Sequence, residues 1–189
     1  MKGCCAWPGD DSLSKRYHDE EWGVPCRDDA KLFEFIILES AQAGLSWITI
    51  LHKRENYRHA FSEFNFDLVS QYTSQDVERL RADIGIVRNK MKIDSAIQNA
   101  RCFKVVRSEF GSFSDYLWGF TDGTTVVNHW RSESDIPSQT KLSKFISDDM
   151  RQKGFEFFGP TICYAYLQAI GIVNDHLEHC FRWGECQEL

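Results

Sequence analysis

Residues 28–43 open with two aspartates and then set Leu32, Phe33, Ile36 and Ile37 on one stripe, a spacing that belongs to an α-helix and not to a strand. Asp28 and Asp29 offer capping oxygens for its first turn. Gly44 interrupts the pattern, and Ser46 offers a cap for a second stretch carrying Trp47, Ile48, Leu51 and Tyr57. The same periodicity predicts helices near 75–83, 89–108, 111–119, 139–153 and 160–170. The fourth of these should stop at Gly154 in a left-handed turn, and Gly159-Pro160 reads as a restart with proline in the first turn. The least regular stretch is 120–138, with Asp122-Gly123 as a turn signal. The fold class is therefore mostly α. At 189 residues and 42% hydrophobic content the chain can close one core without disulfides, so residues 1–189 are expected to form a single domain.

No apolar run approaches the ~18–20 residues of a membrane span, and Met-Lys-Gly-Cys-Cys-Ala-Trp-Pro lacks a signal-peptide core. The expectation is a soluble cytoplasmic protein with no membrane partner. With 22 basic and 28 acidic residues the net charge is −6, which argues against coating nucleic acid by bulk charge. A local basic face, or backbone amides at a helix N-terminus, remains open to a phosphate. Seven cysteines without an export signal read as reduced thiols or metal ligands. Cys5 and His18 lie near one end; His176 and Cys180, four apart, share a helix face near the other. Two thiolates and two imidazoles make a closed tetrahedral set for a structural zinc. Cys4, Cys26, Cys163 and Cys186 are also available, His179 and Cys186 are alternative ligands, and ordinary core thiols with surface histidines are the plain alternative.

Glu39 sits in a helix otherwise full of aliphatics, where a partly desolvated carboxylate suits acid–base work or recognition of a cation; the alternative is a solvated helix face. Trp7, Tyr17 and Trp47 can stack on a planar ligand or serve as core. The segment 82–92, with Gly85 between apolar residues and Arg88, Lys90 and Lys92 after it, has the form of a hairpin opening into a helix, and equally of a plain interhelical turn with solvated charges.

Tyr-His-Asp-Glu-Glu-Trp-Gly-Val-Pro at 17–25, Gln-Ala-Gly-Leu-Ser-Trp at 42–47, Arg-Glu-Asn-Tyr at 54–57, Gly-Pro-Thr-Ile-Cys-Tyr at 159–164 and Gly-Ile-Val-Asn-Asp-His at 171–176 together resemble the DNA-3-methyladenine glycosylase I family, a branch of the helix-hairpin-helix glycosylases. The resemblance spans nearly the whole chain. It implies a helical glycosylase domain whose helix-hairpin-helix element lies at about 75–108 and whose ends, 5–18 and 176–180, are joined by one structural zinc on Cys5, His18, His176 and Cys180. It implies a base pocket of Glu39, Trp7, Tyr17 and Trp47, with Glu39 the catalytic group. Gly44-Leu45 would fill the gap left by an extruded nucleotide, and the hairpin 83–89, with Gly85, Arg88 and Lys90, would grip the DNA backbone. The sequence departs from the family at Ser40-Ala41 and in a short tail with Cys186 in place of a cysteine cluster.

The implied activity is excision of 3-methyladenine from alkylated double-stranded DNA by a monomer that leaves an abasic site without cutting the strand. No aspartate stands out as a water-activating base and no hairpin lysine as a Schiff-base nucleophile. Two rivals make different predictions: a zinc-containing module that binds lesions without excising them, and a zinc-stabilised scaffold for protein contacts.

Overall fold

The computed structural model describes residues 4–189. Its centre is helix α2 (Asp29–Gln42), in which every residue from Leu32 to Ala41 is buried. A helix buried all round needs neighbours on every side. Here they are α3 (Trp47–Ala60), α6 (Lys90–Phe110), α7 (Phe113–Trp118) and α9 (Pro160–Ala169). Asp28 caps α2 by accepting from the amides of Ala30 and Lys31. Asp29 does not cap its own helix: its carboxylate accepts from Phe113 N and Ser114 N at the start of α7, and from Arg107. Ser46 stands at the head of α3, but its hydroxyl bonds Thr49 Oγ1 instead of a backbone amide.

Helices α5 (Ser74–Ala82), α6, α7, α8 (Lys141–Gln152) and α9 lie where periodicity places them. Gly154, at φ +92°, ends α8, and Gly159-Pro160 starts α9. Three helices escape the periodic reading. Helix α1 (Ser12–Glu20) is capped by Asp11 and carries Tyr17 and His18 inward on an otherwise polar segment, and α10 (Phe181–Glu185) is a short turn after Cys180. Helix α4 (Phe66–Val69) bridges α3 and α5.

The irregular stretch holds a short parallel pairing, β1 (Val126–Val127) on β2 (Val173–Asn174), with Val126 opposite Val173 and Val127 opposite Asn174. The N-terminal loop meets the C-terminal one at Gly171. A Cβ there would stand 2.3 Å from the Val24 carbonyl carbon, and φ is +72°. Only glycine meets both conditions.

Two interhelical turns flank α6. In the α5–α6 turn, Gly85 N donates to Asp83 Oδ1, Val87 N donates to Tyr57 Oη, and Lys53 Nζ donates to the carbonyls of Ile84 and Gly85. The α8–α9 turn is clamped to α6 by Asn99, which donates to Glu156 O and accepts from Glu156 N. Among the described residues no helix is long and apolar enough to cross a membrane.

Candidate active site and metal centre

Two glutamates are buried in α2, each 3% exposed, and their surroundings are opposite. Glu34 Oε1 accepts from Arg54 and Arg58, and its other oxygen pairs with Lys31. Arg54 also bridges to Glu21, and that pairing outweighs burial to hold the Glu21 carboxyl down at about 2. Glu39 has no such company. Its Oε2 has no hydrogen-bond partner, and burial alone pushes its pKa up to about 8. An uncompensated buried carboxyl is costly, and such groups concentrate where a ligand supplies the missing partner.

Glu39 lies in the wall of a cleft of about 320 Å³, at the lower end of the ~300–1,000 Å³ typical of ligand sites. Trp7, Tyr17 and Trp47 line it together with Glu39, so the four pocket residues expected from sequence meet in one place. Tyr17 and Trp47 have ring centroids 5.1 Å apart, and Trp7 lies edge-on to Tyr17 at 6.2 Å. The indole nitrogens of Trp7 and Trp47 are also buried without partners. Burial, and after it the Glu39 carboxyl, keeps the Tyr17 hydroxyl well above its ordinary pKa.

Sequence reasoning did not single out the rest of the wall: Trp22, Gln42, Glu133, Ile136, Ala165 and Gln168. Trp22 and Gln42 stand inside the sequence motifs and carried a signal. Glu133 and Ile136 lie in the stretch without periodicity; Glu133 reaches the site by accepting from the amides of Ala6 and Trp7, which fixes Trp7 over the cleft.

The rim is built by the α2–α3 turn. Gly44, exposed at φ +79°, lets the chain reverse, and Leu45 projects 42% exposed. Lys92 Nζ donates to the carbonyls of Ala41 and Ala43, so it serves as a C-terminal cap of α2 and its charge is used inside the protein. That bond also sets the start of α6 beside the rim. Arg88 and Lys90 are exposed; Lys90 is paired with Asp94 at 2.6 Å. At the tip Ile84 is 80% exposed.

Behind the cleft, Cys5, His18, His176 and Cys180 are all buried, with their donor atoms within 4.8 Å of one another. The Cys180 sulfur is 3.6 Å from His18 Nε2 and 3.7 Å from His176 Nδ1, and Cys5 is 3.8 Å from His176 Nδ1. Metal bonds of ~2.3 Å to sulfur and ~2.0–2.1 Å to nitrogen put tetrahedral edges of this kind at about 3.5 Å. The second nitrogen of each ring is engaged: His18 Nδ1 with Asp19 Oδ1 at 2.7 Å, His176 Nε2 with the Trp22 carbonyl at 2.9 Å. Such outer contacts orient metal-binding imidazoles. Hydrogen bonding from Cys5, then from His176 and His18, drives the Cys180 thiol far down. His179 is exposed; Cys186 is buried but outside the group, and Cys4 lies at its edge beside His18.

The family model for methyladenine glycosylase matches residues 7–183. The DNA-3-methyladenine glycosylase 1 of Escherichia coli is 46% identical over 176 residues, covering 93% of this chain and 94% of that one. The DNA-3-methyladenine glycosylase of Haemophilus influenzae is 40% identical, covering 93% and 95%. Among solved structures, the 3-methyladenine DNA glycosylase I of Staphylococcus aureus superposes with a TM-score of 0.92 at 35% identity, covering 95% of this chain and 96% of that one.

Proposed function

Because the chain belongs to the methyladenine glycosylase family, we propose that it is a base-excision repair enzyme that hydrolyses the N-glycosidic bond of 3-methyladenine in alkylated double-stranded DNA. It acts as a monomer in the cytoplasm, transiently on the nucleoid. The observation that carries this reading is the unpartnered Glu39 carboxyl in an aromatic cleft. Alkylation at N3 gives adenine a delocalised positive charge and makes it a good leaving group. The enzyme therefore needs selection and positioning more than a strong acid.

The damaged nucleotide is extruded from the stack, at a cost of a few kcal/mol that is smaller for a damaged base. Leu45, carried outward by Gly44, fills the gap. The base enters between Trp7, Tyr17 and Trp47, whose electron-rich faces favour a cation by ~0.5–2 kcal/mol per contact. Glu39 supplies the missing charge. The approaching cation favours its ionised form, so the carboxyl loses its proton to solvent before the cleft closes on the base and then accepts from the adenine edge. When the bond breaks, its electron pair leaves with the base, which departs neutral. Water adds its oxygen to the sugar carbon and releases a proton to solvent. Among the described residues the cleft wall contains no lysine that could serve as a Schiff-base nucleophile, which supports hydrolysis without strand cleavage.

The DNA backbone is held by two turns. The first is 83–89 with Gly85, Arg88 and Lys90. The second is the α8–α9 turn, which has the pair of glycines that the first lacks: Gly154 closes α8, and Gly159 leaves the first amides of α9 without a side-chain cap. Backbone amides at such a point bind phosphate without net positive charge, which reconciles DNA binding with a net charge of −6.

Cys5, His18, His176 and Cys180 hold one zinc. The set is closed, so the ion supplies folding energy and no open coordination position. It ties the segment bearing Trp7 and Tyr17 to the end of the chain. The reading is tested on DNA methylated in vitro: release of free 3-methyladenine, with the strand intact until alkali is added, is expected. A folded protein that binds this DNA and releases no base is a lesion-binding module instead.

A further inference from the structure

Gln168 is fixed at one end of its side chain. Its Nε2 donates to Asp175 Oδ2 at 2.7 Å, and no partner for its Oε1 occurs among the described residues. Asp175 follows β2 and is completely buried. Its Oδ1 accepts from Asn128 Nδ2 and Trp130 Nε1, each at 2.7 Å, and its Oδ2 accepts from the Tyr164 hydroxyl as well as from Gln168. The β1–β2 pairing delivers Asn128 and Trp130 to this point. The carboxylate thus has two donors on each oxygen. A carboxylate only accepts, so the Gln168 amide must turn its NH₂ toward Asp175. The carbonyl is the end left for the cleft, whose wall Gln168 shares with Glu39.

We propose that Gln168 determines base specificity, its Oε1 accepting from the exocyclic amine of adenine, and that Asp175 is the positioning residue that sets this orientation. The inference rests on the glycosylase reading above. At the corresponding position adenine carries an amine donor and guanine a carbonyl acceptor. A fixed acceptor in the wall rewards the first and repels the second, so 3-methyladenine is selected over 3-methylguanine by an attraction and a repulsion together. The orientation does not depend on the base, because Asn128, Trp130 and Tyr164, three neutral donors, already hold Asp175 as an acceptor.

The test measures release of both free bases from methylated DNA, per folded enzyme, for the zinc-loaded protein and its variants. Gln168→Met keeps length and removes the acceptor. Loss of one hydrogen bond to a charged group lowers kcat/KM for 3-methyladenine by roughly tenfold to a hundredfold, while 3-methylguanine release stays level or rises. The ratio of the two therefore collapses. Asp175→Asn, which frees the amide of Gln168 to invert, moves the ratio the same way with zinc content unchanged. A merely structural role would depress both bases alike. Gln168→Ala, with free-base binding followed by tryptophan quenching of the folded fraction, gives a second reading should Gln168→Met fold poorly. An unchanged ratio in a folded Gln168 variant overturns the inference and leaves the glycosylase reading standing. No base release by the unaltered protein overturns that reading first.

Discussion

Glu34 and Glu39 lie five residues apart on one buried helix, and what surrounds each decides what it does. Glu34 is held by two arginines and a lysine, as a structural carboxylate must be in a core. Glu39 keeps a free oxygen and a pKa of about 8. Its neutral form is the one the fold prefers. It follows that its ionisation costs stability, with no penalty below the unfolded value near 4.5 and the full penalty above about 8. Denaturant unfolding should therefore show the unaltered protein losing stability relative to Glu39→Gln between these pH values. Excision runs the other way: kcat/KM for 3-methyladenine should rise toward pH 8 as Glu39 ionises, and Glu39→Gln should lose that step together with one to two orders of magnitude, at ~1.4 kcal/mol per decade. Equal rates for the two proteins at pH 8 would remove Glu39 from the site. At Gly171 the constraint is steric. Gly171→Ala must move the Val24 backbone and accept a positive φ, so a loss of more than ~1–3 kcal/mol is expected in equilibrium unfolding.

Helices whose apolar residues repeat at the helical period were legible in the sequence: α2, α3, α5 to α9, with the stops at Gly44 and Gly154. Helix α1 was not, because Ser12–Glu20 is nearly all polar and its inward face, Tyr17 and His18, meets aromatic rings and the Cys180 thiol instead of aliphatics. The site divides the same way. Residues in compact motifs were found; Glu133, Ile136 and Gln168 were not, because what brings them in is the β1–β2 pairing and the packing of α9, both long-range. Lys92 and Asp29 show the limit of reading a charge from its neighbours in sequence, since each caps a different helix from the one its position indicates. At this scale Asn99 is the joint between α6 and the α8–α9 turn. Asn99→Ala strands both backbone groups of Glu156 and should cost ~1–3 kcal/mol in stability. It should also weaken binding to undamaged duplex DNA by loosening that turn. Full DNA affinity in the destabilised variant would free the turn from that role.

Across the whole molecule, Cys5 and His18 belong to one end of the chain and His176 and Cys180 to the other, and the base cleft takes Trp7 and Tyr17 from the first and Gln168 from near the second. A metal ion held by Cys5, His18, His176 and Cys180 would act as a clip and fix the walls of the cleft. Metal analysis should give one zinc per chain, and Cys180→Ser should lower the melting temperature far more than it lowers kcat of the folded fraction. An equally stable, metal-free preparation would reject the clip. On the proposed reading an acidic protein meets DNA through two turns and an exposed leucine, so affinity should fall only shallowly with salt, because few phosphates would be neutralised by side-chain charge. The central proposal is that the aromatic cleft, with the unpaired Glu39 carboxyl in its wall, removes a cationic purine from DNA. The most direct measurement is chromatography of the free bases released from methylated DNA against 3-methyladenine and 7-methylguanine standards. Selective appearance of 3-methyladenine is the expected result, and a folded, zinc-loaded protein that binds this DNA but releases no base would contradict it.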